Sequence, residues 1–112
     1  MKNPAKLSST ELSHAEFASI EEVRAAIDSL DREIVASLGM RAQYVKAITR
    51  FKKTEQDVRA PDRRRQVLAA RRAWAEESGI DPDVVERLYT LLIDHFVAEE
   101  MKDLRLAPAD QA

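Results

Sequence analysis

Three basic side chains, Arg24, Arg41 and Lys52, are placed so that they could bind an anionic ligand. Arg41 interrupts an apolar column that recurs every seven residues along a helical stretch, with Ile20, Ile27, Ile34 and Ile48 as its other members. A guanidinium that faces a core is costly unless an anion meets it. Arg41 therefore either bends out to water or binds a negatively charged ligand.

The spacing of these three residues limits which of them can share a ligand. Arg41 and Lys52 are eleven residues apart, and on a helix this returns to within about 20° of the same face, roughly 16 Å further along. Arg24 lies 28 residues before Lys52, or about 42 Å along the same axis. Arg24 therefore cannot join the other two within one chain. Antiparallel pairing of two copies of the helix would supply it from the partner chain.

Two further charged residues are candidates on later helices. Glu100 lies next to an apolar stripe, four residues after Phe96, and Arg63 follows the proline that opens the second helix. Taken singly, each candidate also has a simpler interpretation. Arg41 can extend along the helix stripe to reach water, and the others can be ordinary surface charges.

The run of arginines at positions 63 to 65, with two more at 71 and 72, raises nucleic acid as a ligand. Acidic residues flank the run, and no aromatic residues alternate with it to stack on bases. The formal net charge is −2 and the sequence pI is near 5.7. These features argue against a nucleic-acid partner.

The apolar periodicity predicts one long helix that must position the first three residues. Ser19 and Glu22 form an S-x-x-E capping box, so the helix should begin at Ile20 and run to about Lys53. A helix of about 33 residues is about 50 Å long, whereas a domain of this size has a radius of gyration of roughly 13 Å. The apolar face of this helix must therefore be buried against another chain.

Two more helices are predicted after a polar connector at residues 54 to 60, whose polarity suggests mobility. Pro61 can occupy the first position of the second helix, which runs to Ser78 with Gly79 as its stop. Asp81 and Pro82 then begin the third helix, which continues to about Leu106. We interpret residues 1–18 as a flexible leader, 19–106 as one helical domain and 107–112 as a frayed tail.

Composition supports an all-α fold and excludes several kinds of chemistry. The 112 residues are 45% hydrophobic and 34% charged, with two glycines and four prolines. There is no cysteine, and His14 and His95 lack helix-spaced ligand partners, so we expect no metal and no cofactor. No stretch approaches the roughly 20 apolar residues of a spanning helix. We therefore expect no membrane partner and take the cytoplasm as the default location.

Several stretches together resemble the small all-helical chorismate mutase family. They are "IEEVRAAIDSLDREIV", "GMRAQYVKAITRFK", "APDRRRQVL", "RRAWAEESGIDPDVVERLY" and "LLIDHFVAEEMK". Within the family they are most similar to the bacterial isochorismate pyruvate lyases that make salicylate for siderophores. The resemblance covers about residues 19 to 104. It implies three helices per protomer, interlocked in a homodimer with two identical sites, and a small dicarboxylate substrate.

The resemblance also implies a role for each candidate residue. Arg24 of the partner chain and Arg41 would each hold a substrate carboxylate, and Lys52 would donate to the ether oxygen and to a carboxylate. Arg63 would belong to the mobile segment that closes over the ligand, and position 100 would hold the second donor to the ether oxygen. The family's reactions are pericyclic and need no nucleophile, metal or general base. Lys52, Glu100 and Arg41 are therefore the expected catalytic residues.

The sequence departs from the family pattern at two places. Position 100 is glutamate where many members have glutamine, and a carboxylate must be protonated before it can donate. The mutase motif D-x-x-R-E reads Ala60-Pro61-Asp62-Arg63-Arg64 here, so both acids that help to bind the ring hydroxyl of chorismate are missing. This favours isochorismate as the substrate.

Two alternatives stay open. One is a chorismate mutase proper, which forms prephenate for aromatic amino acids in the shikimate pathway. The other is a helical dimerisation module without catalysis, which the retained Arg24, Arg41 and Lys52 argue against.

Overall fold

The computed structural model describes residues 16–106, and every regular element in that range is a helix. The helices are α1 (Ile20–Thr49), α2 (Glu55–Arg59), α3 (Pro61–Ser78) and α4 (Pro82–Leu106). The predicted all-α class is confirmed, and α1, α3 and α4 are the three predicted helices. Most of the proposed leader and the whole tail lie outside the described residues.

The start of α1 follows its capping signal. Ser19 Oγ accepts a hydrogen bond from the Glu22 N–H at 3.2 Å, as predicted. The Glu22 carboxylate accepts from the Ala18 N–H at 2.9 Å, one residue before the predicted position. A side chain therefore caps one donor of the first turn, the Glu22 N–H, and a second bond holds the chain just before the helix.

The end of α1 differs from the prediction, because the helix stops at Thr49 and not near Lys53. The Thr49 hydroxyl donates to the Val45 carbonyl at 2.9 Å. The next bonds join residues three apart, from the Phe51 N–H to the Ile48 carbonyl and from the Lys52 N–H to the Thr49 carbonyl. Bonds of this tighter kind commonly end an α-helix, and they place Lys52 just beyond α1.

Residues 54 to 60, which we predicted to be a polar connector, contain a short helix, α2. The sequence prediction missed this helix. Thr54 and Asp57 form a capping box that begins α2. Val58 of α2 is 3% exposed and belongs to the core. The T-x-x-D pattern at residues 54 to 57 was the signal in the sequence, and the polarity of its neighbours concealed it.

Ala60 joins α2 to α3 in a left-handed backbone conformation, with φ 37° and ψ 64°. Within the described residues it is the one non-glycine position with positive φ. This conformation costs an alanine roughly 1–2 kcal/mol, because its Cβ crowds the neighbouring carbonyl. Pro61 follows at the start of α3, as predicted.

The turn between α3 and α4 forms as the sequence predicted. Gly79 has φ 75° and ends α3 with a Schellman motif, in which the Ile80 N–H donates to the Ala75 carbonyl at 3.0 Å. Asp81 then caps α4, because its Oδ1 accepts from the Asp83 N–H at 2.8 Å. Helices α2 and α3 both pack against α4. Buried apolar side chains at this packing are Val58, Val67, Ala75 and Met101.

The chain divides into two compact units, and the boundary falls within α1 after Gln43. The described part of the first unit, residues 16–43, contains no buried side chain. Ile27 and Ile34 of its apolar column are 50% and 53% exposed. The second unit, from Tyr44, holds the buried residues named above. The apolar column of α1 is thus left largely uncovered by its own chain.

Candidate active site

Lys52 and Glu100 form the central ion pair of the second unit. Lys52 Nζ donates to Glu100 Oε2 at 3.0 Å, and the two side chains are 21% and 7% exposed. Helix α4 carries Glu100 near its C-terminal end, next to the buried Met101. A buried carboxylate is costly unless a cation pairs with it. The sequence named both residues, and the structure brings them together.

A groove of about 480 Å³ lies beside this pair. Its lining includes Lys52 and Arg63, which the sequence also predicted to share a site. The other lining residues come from the end of α1 and the turn after it, from α2, and from the junction with the start of α3, and they are Ile48, Phe51, Gln56, Asp57, Ala60, Pro61 and Asp62. The groove therefore offers two cations beside apolar surface from Ile48 and Phe51, which suits an anion that also carries a hydrocarbon ring.

Both acids that line the groove are engaged with other groups. Asp62 pairs with Arg65. The Asp57 carboxylate accepts hydrogen bonds from the backbone N–H groups of Lys53 and Thr54. The bond from Lys53 is the main cause that holds the pKa of Asp57 below its ordinary value. Neither carboxylate is directed at Lys52 or Arg63 by these bonds.

Arg63 and Arg64 lie side by side in the first turn of α3 but differ in their surroundings. Arg63 is exposed and lines the groove. Arg64 forms an ion pair with Asp94 of α4, at 2.9 Å between Nη1 and Oδ1. Arg63 is therefore the arginine of this turn that is available to a ligand in the groove.

Arg24 and Arg41 both lie on α1, in the first unit. Arg24 is exposed and Arg41 is half-buried. They are 17 residues apart in sequence, which places them about 26 Å apart along the helix axis and about 100° apart around it. One copy of α1 therefore cannot present both arginines to one small ligand. Their meeting with Lys52 stays a prediction.

Other kinds of site find no support in the described part of the chain. Across residues 16–106, no three histidine or carboxylate side chains are grouped so as to hold a metal ion. No helix there is both long enough and apolar enough to span a bilayer.

Two features of the site were missed at the sequence level. They are the helix α2, which forms one wall of the groove, and the engagement of Asp57 with the backbone next to Lys52. The capping pattern of Thr54 and Asp57 could have revealed both.

The all-helical fold agrees with the family comparison, which shows that the chain belongs to the family described as chorismate mutase type II and is a pericyclic enzyme. The family model matches residues 23–101, which include Arg24, Arg41, Lys52, Arg63 and Glu100. The chain is similar to an isochorismate pyruvate lyase of Pseudomonas aeruginosa, with 43% identity over 83 residues that cover 74% of this chain and 82% of the relative.

A second relative is the T-protein of Haemophilus influenzae, with 35% identity over 68 residues. That match covers 60% of this chain but only 18% of the T-protein. The likeness is therefore limited to one part of that longer protein.

Proposed function

We propose that this protein is an isochorismate pyruvate lyase, which converts isochorismate into salicylate and pyruvate, with a secondary chorismate mutase activity. The observation that carries the proposal is the groove in which Lys52 and Arg63 lie together, with Glu100 paired to Lys52. The 43% identity to the Pseudomonas aeruginosa lyase over most of both chains supports this choice of reaction.

The proposed chemistry needs positioned cations and little else. In the elimination, the C–O bond of the enolpyruvyl ether breaks while a ring hydrogen moves to the departing side chain, all within one cyclic transition state. Negative charge grows on the ether oxygen as the bond breaks, so a preset donor lowers the barrier. Lys52 is this donor. Its ammonium has three N–H groups, so it can reach the ether oxygen and a substrate carboxylate.

The complete site requires two chains, in a homodimer that pairs copies of α1. Arg41 and the partner's Arg24 each hold one substrate carboxylate in this arrangement. The uncovered apolar column of α1 supports it, because exposed residues such as Ile27 and Ile34 gain cover from a second helix. The distance between Arg24 and Arg41 on one helix supports it as well.

Glu100 serves as the second donor to the ether oxygen once it is protonated. In the structure its carboxylate accepts from Lys52, and an ionised carboxylate has no proton to donate. Catalysis through this residue therefore requires the acid form. Glutamine at the same position would donate at any pH.

The preference for isochorismate follows from residues 60 to 64. Ala60 and Arg64 stand where chorismate mutases carry the two acids that help to bind the ring hydroxyl. Arg64 pairs with Asp94 of α4, so this side chain is held by another helix. The groove then lacks both hydroxyl ligands, which matters less for isochorismate because its hydroxyl lies elsewhere on the ring.

Turnover of isochorismate and chorismate, measured side by side on the purified protein, tests the proposal. We expect salicylate fluorescence with isochorismate at a higher kcat/KM than prephenate formation from chorismate. The reverse ratio would identify a chorismate mutase, the candidate that the chorismate mutase type II family model favours. If neither substrate turns over and neither raises the Tm, a dimerisation module without catalysis is the remaining reading.

We also propose that the enzyme is cytoplasmic and that it uses no metal or cofactor. It has no nucleic-acid or membrane partner in this proposal, and it supplies salicylate to siderophore synthesis.

A further inference from the structure

The N-terminal end of α2 holds the two peptide groups that directly follow Lys52. Asp57 Oδ2 accepts hydrogen bonds from the backbone N–H of Lys53 at 3.0 Å and from that of Thr54 at 3.2 Å. Thr54 Oγ1 in turn accepts from the Asp57 N–H at 3.1 Å. The two bonds between Thr54 and Asp57 form the capping box of α2, and the bond from Lys53 adds the preceding residue to it. They fix the backbone between Lys52 and the first turn of that helix.

The same short helix is anchored to α4, which carries Glu100. Val58 is 3% exposed and is the buried residue of α2, and α2 packs against α4. Lys52 is therefore held at two points. Its backbone is tied to α2 through the capping box, and its ammonium is tied to α4 through Glu100.

Asp57 lines the groove, where an unengaged carboxylate would repel a doubly negative substrate. Its bonds to two backbone N–H groups direct the charge toward the chain and away from the ligand. The negative charge of Asp57 does not help to bind an anionic substrate. Its contribution to the site is therefore the pair of hydrogen bonds that it accepts from the backbone.

We infer that Thr54 and Asp57 are positioning residues of the active site, which order the backbone after Lys52 before the substrate binds. This inference rests on the proposed function. Without the box, this backbone must become ordered when the substrate binds, and the free energy of ordering weakens substrate binding. The cost is the same in the substrate complex and in the transition state, so it raises KM and leaves kcat unchanged.

The test compares variants of the full-length protein in steady-state kinetics with isochorismate and chorismate. Asp57→Ala is expected to raise KM about five- to tenfold, with kcat within about twofold of the parent value. Asp57→Glu restores the common capping-box residue and should return KM close to that of the parent. In Asp57→Ala the backbone N–H of residue 57 can still donate to Thr54 Oγ1, so the double variant Thr54→Val with Asp57→Ala should have a higher KM than Asp57→Ala alone.

Asp81→Ala is the control, since it removes an aspartate that caps the start of another helix, α4, away from the groove. It should lower the Tm and leave KM unchanged. An Asp57→Ala variant that also loses only thermal stability, or that loses kcat without a change in KM, overturns the inference.

Amide hydrogen exchange in the protein without ligand separates this inference from the proposed function. We expect slow exchange at Lys53 and Thr54 in the parent and faster exchange in Asp57→Ala. Equal exchange rates in both proteins overturn the positioning role, whatever the activity. A parent protein that turns over neither substrate overturns the proposed function, and the exchange rates then still decide whether the box orders this segment.

Discussion

The two units of the chain carry different parts of the proposed site. Residues 16–43 contribute Arg24 and Arg41 but contain no buried side chain. The part from Tyr44 has its own buried residues and holds the Lys52–Glu100 pair beside the groove. One region thus has an interior and a partly built site, and the other has cations and an uncovered apolar face. The first unit is therefore the part of the chain for which we propose that a second copy provides both cover and a completed site.

Removal of Lys52 should have the largest effect on the better-built region. We expect Lys52→Ala to lower kcat about a thousandfold or more, because the donor to the ether oxygen is lost. Steady-state kinetics with isochorismate checks this. Lys53→Ala, which removes the exposed neighbouring charge, is the matched control and should stay near the parent value. A Lys52→Ala enzyme within tenfold of the parent would show that the groove is not the site.

Mixing two inactive variants tests whether the poorly covered region completes the site of another chain. Arg24→Ala and Lys52→Ala should each be nearly inactive alone. In a mixed dimer, one of the two sites regains both intact residues. Random exchange after brief unfolding and refolding should therefore restore about a quarter of the parent activity. No recovery, with mixed dimers shown by mass spectrometry, would mean that Arg24 acts within its own chain or not at all.

A charge on the apolar column of α1 should weaken the proposed dimer, because this column is the surface that a second copy would cover. Burial of one isoleucine contributes about 1.5–3 kcal/mol, and a dimer buries two copies of Ile34. Ile34→Glu should therefore weaken dimerisation by at least a hundredfold. Sedimentation velocity over a dilution series measures this. Ala36→Glu, an exposed position of α1 about 200° around the helix from Ile34, should leave the dimer intact.

Glu100→Gln should sharpen the role of the buried carboxyl. The side-chain amide of glutamine can donate a hydrogen bond to the ether oxygen, whereas an ionised carboxylate cannot. We therefore expect the variant to have a higher kcat/KM for isochorismate than the parent at neutral pH. Steady-state kinetics on both proteins measure this. A variant that is no faster than the parent would remove Glu100 from the role of donor.

Local signals explain why much of the fold was predictable from the sequence. The caps at Ser19, Gly79 and Asp81 each satisfy backbone groups through residues within a few positions of one another. The start of α3 at Pro61 rests on the same kind of short-range geometry. Such signals need no knowledge of tertiary packing, so they could be read directly.

The errors lie where local preferences compete. The end of α1 was misplaced because apolar periodicity continues to Phe51, while the Thr49 hydroxyl and the tighter bonds after it end the helix earlier. Helix α2 was missed because five mostly polar residues give no helical period, and only Val58 is buried. For the site, the resemblance to the family implied that Lys52 and Glu100 belong together. In the structure without substrate, the two side chains pair with each other. This pairing depends on the packing of α4, which the sequence pattern does not encode.

The left-handed turn at Ala60 has a mechanical consequence for the groove. Proline at position 61 has a fixed φ, and Ala60 occupies a narrow region of backbone space. Few other backbone conformations are therefore open to this junction. We expect a displacement of α2 to carry the first turn of α3 with it, so that the groove residues Asp57 and Arg63 move together.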